Sequence, residues 1–131
     1  MLPLTLATLR KHNGRFGRWA AIEKKSQQFM GWFFIQPDNK DPDNTSRLEL
    51  GYRLKKKYWG KGYATEVAQA LIAKAFLEPE VQEIYAITMK DNLASRKVME
   101  KCGMTFRREF HHEDFPKSKD TDVEYVRRRD H

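Results

Sequence analysis

Between residues 47 and 76 the hydrophobic period of this chain changes from two to about 3.6 residues. Leu48, Leu50, Tyr52 and Leu54 alternate with Arg47, Glu49, Gly51 and Arg53, the pattern of a strand with one apolar face. Farther on, Ala64, Val67, Ala68, Leu71, Ile72, Ala75 and Phe76 recur at helical spacing. A helix therefore starts near Gly62 and packs one apolar stripe against a sheet. A strand delivered directly into a helix restricts the chain to layered α/β architectures.

The junction itself, Lys55-Lys56-Lys57-Tyr58-Trp59-Gly60-Lys61-Gly62-Tyr63-Ala64-Thr65-Glu66, is basic and punctuated by two glycines. Gly60 and Gly62 permit positive φ and let another molecule approach the backbone without Cβ interference. No Ser, Thr, Asp or Asn stands where it would cap the helix, so the first N–H groups lack a side-chain acceptor and an anion can supply one. Lys61 and the run from Lys55 to Lys57 add positive charge beside the helix dipole. Glycines and lysines alone are equally compatible with an ordinary turn carrying a solvated lysine run. The stretch is not a Walker loop, since no Gly-Lys-Ser/Thr follows four spacer residues, and Thr65 stands where the third glycine of a dinucleotide loop would be.

Residues 1–13 are leucine-rich and read as the last turns of a helix ending near Asn13-Gly14. Residues 18–23 and 28–35 form a strand hairpin about the polar 24–27, and the second strand, apolar on both faces, belongs in the sheet interior. Residues 36–46 are a Pro/Asp/Asn-rich loop. The helix after the glycine turn ends before Pro79, and 83–89 is another strand buried on both faces. A second helix opens at Asp91-Asn92, with Asn92 as N-cap, and closes at Gly103. Residues 104–111 and 122–128 complete the strands, with a polar excursion at 113–121. The expected fold is one α/β domain spanning 1–131, a mixed and mostly antiparallel sheet with helices on both faces.

Glu49-Leu50-Gly51-Tyr52, Trp59 to Glu66, Asn92 to Lys101 and Gly103-Met104 together resemble the GNAT superfamily of acetyl-CoA-dependent N-acetyltransferases, most closely its ribosomal-protein N-terminal acetyltransferase branch. The likeness covers about residues 15–128. It implies the acyl-CoA N-acyltransferase fold, in which the strand before the glycine turn splays from its neighbour and the pantetheine arm of the co-substrate lies in the gap. It further implies that Tyr52, Arg53, Leu54, Trp59, Gly60, Lys61, Gly62, Tyr63, Ala64, Thr65, Asn92 and Arg96 bind acetyl-CoA, with Lys97 and Lys101 also near its phosphates.

Acetyl transfer to an amine needs a neutral amine, a polarised carbonyl and a proton for the departing thiolate. The resemblance assigns the amine proton to Glu49 and the thiolate proton to Ser95, with direct attack in a ternary complex. Read as residues only, Glu49 is equally a polar-face strand glutamate, and Asn92 and Ser95 are equally capping residues. Two departures stand out: Lys57 occupies the position where the family motif usually has Arg or Gln, and the chain has room for only part of the first strand and helical pair of relatives.

A net charge of +7, with 25 Lys and Arg against 18 Asp and Glu, favours a polyanionic partner. The basic residues are scattered and form no recognition-helix, zinc-finger or RNP pattern, so the cofactor's phosphates are expected in preference to nucleic acid. The acceptor is expected to be a protein N-terminus or a small amine. A regulatory module that binds acetyl-CoA without transferring, and a basic ribosome-associated domain, are the alternatives. The single cysteine, Cys102, implies a reducing, cytoplasmic setting, and no apolar run approaches the ~20 residues of a membrane span. Adjacent His111 and His112 point to opposite faces of a strand, so no metal site is expected. A sheet edge left by the short N-terminus favours pairing with a second copy.

Overall fold

In the computed structural model, which describes residues 7–11, 16–111 and 121–130, seven strands and two helices follow one another along the chain. The strands are β1 (Ala7–Lys11), β2 (Gly17–Glu23), β3 (Phe29–Pro37), β4 (Arg47–Leu54), β5 (Glu83–Met89), β6 (Thr105–His111) and β7 (Thr121–Arg128). Helix α1 (Tyr63–Phe76) follows β4 through the short 3-10 turn Lys56–Tyr58, and α2 (Leu93–Lys101) follows β5. All strands join one sheet in the order β1-β2-β3-β4-β5-β7-β6, antiparallel throughout except for the parallel pair β4–β5. The mixed α/β fold and the expected positions of hairpin, glycine turn and both helices are all present.

Register decides which side chains share a face. Leu48, Leu50 and Leu54 lie with Phe33, Ile35, Ile84, Ala86, Val123 and Tyr125, and this face buries the stripe Val67, Ala68, Leu71, Ile72 and Ala75 of α1 together with Met99 of α2. The helices touch each other as well, Gln69 Nε2 donating to the Lys101 carbonyl at 3.1 Å. Helices on both faces were expected; the two that are described lie on the same one. The order β4-β5-β7-β6 gives the reason. The crossovers from β4 to β5 and from β5 to β6 step the same way across the sheet, and right-handed crossovers stepping the same way land on one face.

The other face carries no helix among the described residues. It presents Trp32 and Phe34 of β3, Arg47, Glu49, Gly51 and Arg53 of β4, and Tyr85 and Ile87 of β5. β3 and β5 sit inside the sheet as expected, yet Trp32 is 39% and Met89 48% exposed on the face that carries no described helix. Glu124 of β7 is buried on this face, where Arg107 (2.7 Å), Arg108 (3.2 Å) and Arg47 (3.4 Å) surround its carboxylate. Three guanidinium groups supply the hydrogen bonds that a buried carboxylate requires.

The N-terminal expectation needs correction. Residues 7–11 are a strand paired with β2, with Leu9 opposite Ala21. The leucine-rich segment reads as the end of a helix, but the outer edge of β2 offers backbone partners for a whole strand, and five residues are too few to sustain a helix alone. The expected helix stop at Asn13-Gly14 and most of the 113–121 excursion lie outside the described residues. No described helix is long and apolar enough to cross a membrane.

Candidate active site

The site is organised by the parting of β4 from β5. These strands pair only at Arg47 with Glu83, Leu48 with Ile84, and Glu49 with Tyr85; beyond that point β4 remains paired with β3 and leaves β5. The Lys55 N–H donates to the Met30 carbonyl, so Gly31 and Leu54 form a non-hydrogen-bonded antiparallel pair. The alternation then turns the backbone N–H and C=O groups of Leu50, Tyr52 and Leu54 toward the gap and those of Arg53 toward Trp32. One gap-facing carbonyl, that of Leu54, accepts a 2.8 Å bond from Trp59 Nε1.

At the open end of the gap stands the glycine turn. Gly60 has φ 71° and Gly62 φ 86°, values that L side chains rarely adopt. Gly62 is the N-cap of α1 and supplies no side-chain bond; the first helical bond runs from Glu66 N–H to the Gly62 carbonyl. The N–H groups of Tyr63, Ala64 and Thr65 are thus left at a bare helix start. They open onto a cleft of about 260 Å³ lined by Tyr52, Leu54, Trp59, Gly60, Gly62, Asn92, Ser95, Lys97 and Lys101, among others. Tyr63 also lines it while donating a hydrogen bond to the Glu23 carboxylate, which ties the start of α1 to the end of β2.

A narrower cavity of about 100 Å³ lies in the gap itself. Leu50, Gly51 and Tyr52 of β4 line it on one side and Ala86, Ile87 and Thr88 of β5 on the other, with Val98 and Met99 of α2 above. Tyr52, Asn92, Ser95 and Val98 line both spaces and make the throat between them. The Phe34 ring lies close over Gly51: a Cβ there would come within 2.2 Å of it, so the ring would have to move.

At the throat Tyr52 donates to Ser95 Oγ at 3.2 Å, and Asn92 Oδ1 accepts the Ser95 N–H at 3.1 Å. Asn92 is therefore both helix cap and cleft wall. Burial pushes the Tyr52 phenol above its ordinary pKa, partly offset by the Ser95 bond. On the opposite face, two residues before Gly51, the half-buried Glu49 carries a carboxyl raised above its ordinary range by burial and by the Asp38 charge. Glu49 and Ser95 thus lie on opposite faces of the sheet beside the gap.

Three expected positions, Arg53, Lys61 and Arg96, do not line the cleft. Arg53 is exposed on the helix-free face and its backbone pairs with β3. Arg96 turns to the other flank of α2, donating from Nε to the Tyr125 hydroxyl and from Nη1 to the Lys90 carbonyl, each at 3.0 Å. Lys97 and Lys101 face the cleft in its stead, because positions four apart share one helix face. Lys61 is exposed at the tip of the turn. Cys102 is buried and its thiol is pushed up to about 11 by that burial, which leaves it protonated and unreactive at neutral pH. Nothing in the sequence pattern singles out Asp38 or Tyr85; the registers of β3–β4 and β4–β5 bring them together beside Glu49, with the Tyr85 hydroxyl between the two carboxylates.

The model of the acetyltransferase (GNAT) domain matches residues 4–105. An FsC-acetyl coenzyme A-N(2)-transacetylase of Aspergillus fumigatus is 38% identical over 94 residues, 69% of this chain and 39% of that protein. The N-acetyltransferase YjdG of Bacillus subtilis is 34% identical over 104 residues, 78% of this chain and 60% of its own. The chain therefore spans less than two thirds of the length of these relatives. Among solved structures, an acetyltransferase of the GNAT family from Bacillus anthracis aligns with a TM-score of 0.74 and 25% identity over 86% of this chain and 66% of that one. Ribosomal-protein-S5-alanine acetyltransferase from Vibrio fischeri shares the fold, with a TM-score of 0.72 and 17% identity over 86% and 61% of the two chains. A family match running from residue 4 to the first residue of β6, on a sheet whose one parallel pair parts beside a bare helix start, makes this chain a member of the GNAT acetyltransferase family.

Proposed function

We propose that this chain transfers an acetyl group from acetyl-CoA to a primary amine, the amine attacking directly while both substrates are bound. The observation that supports this reading most is the gap where β4 leaves β5, with a bare helix start at its open end and Glu49 at the last pair before the strands part. The N–H groups of Tyr63, Ala64 and Thr65 and the ammonium groups of Lys97 and Lys101 suit the phosphates of acetyl-CoA. The gap-facing backbone of Leu50, Tyr52 and Leu54 suits the amides of its pantetheine arm. Acetyl-CoA would supply the activated acyl group.

Glu49 takes the proton of the incoming amine; its raised pKa brings it nearer to neutral pH and makes it a better base than an ordinary glutamate. The hydroxyl pair Tyr52–Ser95 faces the gap from the helix side and holds a proton where the thiolate departs. The acceptor is a protein N-terminus or a small amine. A place in the ribosomal-protein branch belongs to this proposal, as do a reducing cytoplasmic setting and a homodimer formed along a free sheet edge. The relative from Aspergillus fumigatus carries the name FsC-acetyl coenzyme A-N(2)-transacetylase, and both proposed acceptor classes enter the test.

The test measures thiol release from acetyl-CoA in the presence of peptides with free N-termini and of small amines. Wild type is expected to release thiol with at least one acceptor, and Glu49→Gln to be slower by about 100-fold or more. Equal rates in the two proteins would remove Glu49 from the mechanism. Binding of acetyl-CoA without release for any acceptor would make the chain a binding module, and salt-sensitive RNA binding without a response to CoA would exclude the co-substrate altogether.

A further inference from the structure

Tyr85 of β5 stands opposite Glu49 of β4 at the last pair before the strands part. Its hydroxyl lies 3.2 Å from Asp38 Oδ2 and 3.5 Å from Glu49 Oε1. A phenol has one proton to donate, so two carboxylates share a single donor. Asp38, in the loop after β3, is otherwise provided for: its Oδ1 accepts the Lys40 N–H at 2.9 Å, and an Arg47 Nη1 lies 3.8 Å from its Oδ2. Among the described residues, Tyr85 is the one hydrogen-bond donor to the Glu49 side chain, and at the longer distance. Arg47 does not make up the shortfall. Its guanidinium lies over the Tyr85 ring, 3.8 Å from the centroid, with Nε on Glu83 at 2.9 Å and Nη2 on Glu124 at 3.4 Å.

We propose that Asp38 and Tyr85 are positioning residues that set the proton affinity of Glu49: Asp38 draws the Tyr85 proton to itself and leaves the Glu49 carboxylate short of a donor, which an incoming amine N–H then provides. This rests on the reading of Glu49 as the proton acceptor. The groups that face Glu49 are Asp38 from the loop, Arg47 from its own strand, Tyr85 from β5 and Glu124 from β7; cross-strand Gln36 of β3 is neutral. Asp38 and Glu124 disfavour the charged carboxylate, while Tyr85 and Arg47 favour it. The two positioning residues therefore act in opposite directions. Asp38→Asn removes a negative charge and lowers the midpoint of Glu49, whereas Tyr85→Phe removes a donor, keeps the ring under Arg47 and raises that midpoint.

The experiment follows the carboxyl carbon resonance of Glu49 against pH in protein labelled with 13C at the glutamate carboxyl, with Glu49→Gln as the assignment control. The pH dependence of kcat/KM for thiol release is measured in the same variants. Opposite displacements of the Glu49 midpoint in Asp38→Asn and Tyr85→Phe, with Asp38→Glu close to wild type, are expected. Midpoints that move the same way in both, or in neither, overturn the proposal, since loss of structure alone would not separate the two variants by sign. If the resonance moves as expected while the acid limb of kcat/KM stays put, the control of Glu49 by its neighbours stands and its role as proton acceptor falls.

Discussion

Replacing Gly62 by alanine separates what the glycine turn does for the fold from what it does for a ligand. Gly62 has φ 86°, and a Cβ built on it meets nothing within 4 Å. The cost to the free protein is then the left-handed backbone alone, about 1–2 kcal/mol for an L residue. For a chain of this size that corresponds to a fall in Tm of roughly 4–8 °C. Acetyl-CoA at a hundred times its Kd adds about 2.7 kcal/mol to the wild type. Gly62 lines the cleft. If the methyl weakens binding a hundredfold, the same concentration of acetyl-CoA adds only about 0.4 kcal/mol to the variant. Scanning calorimetry with and without the co-substrate reads both quantities. Gly62→Asn serves as a second variant, because asparagine tolerates the left-handed region; it should recover much of the Tm of the free protein without recovering the response to acetyl-CoA. An unchanged Tm in Gly62→Ala would refute the strain argument, and an undiminished acetyl-CoA shift would refute the placing of the ligand at this turn.

Asn92→Ala removes the acceptor of the Ser95 N–H and should lower stability by about 1 kcal/mol, measured by urea denaturation. Tyr52→Phe removes the hydroxyl bonded to Ser95 Oγ while keeping the ring stacked on Phe33, 5.2 Å between centroids; thiol release should slow with acetyl-CoA affinity, read by calorimetry, retained. Burial pushes the Glu124 carboxyl up, but hydrogen bonds from Arg108 and Arg107 outweigh it and hold the group below its usual range. A carboxyl lowered by folding stabilises the protein above its unfolded pKa and loses that contribution as pH falls through its folded one. Urea-derived stability should therefore fall as pH drops below about 4.3, and Glu124→Gln, less stable at neutral pH, should flatten that fall.

β4 and α1 were legible because each buries one face, and a buried face imposes its period on the sequence. Leu48 to Leu54 and Val67 to Ala75 are read correctly without any partner in view, and the glycine turn is legible because its bare helix start is a local property of residues 60–65. Residues 7–11 were misread since their strand is made by the edge of β2 and not by their own pattern. The resemblance to the family placed Arg53 and Arg96 with the co-substrate, whereas where their side chains point depends on strand parity and helix phase relative to neighbours.

The order of amino acids by itself settled the elements, the flexible turn and the positive charge around it, all of which follow from interactions within a few residues. Where β4 leaves β5, which face both helices cover, and that Tyr85 stands between Asp38 and Glu49 are facts of register across a sheet. They join residues 36 and 47 positions apart, and no local pattern encodes such a pairing until the strands have met.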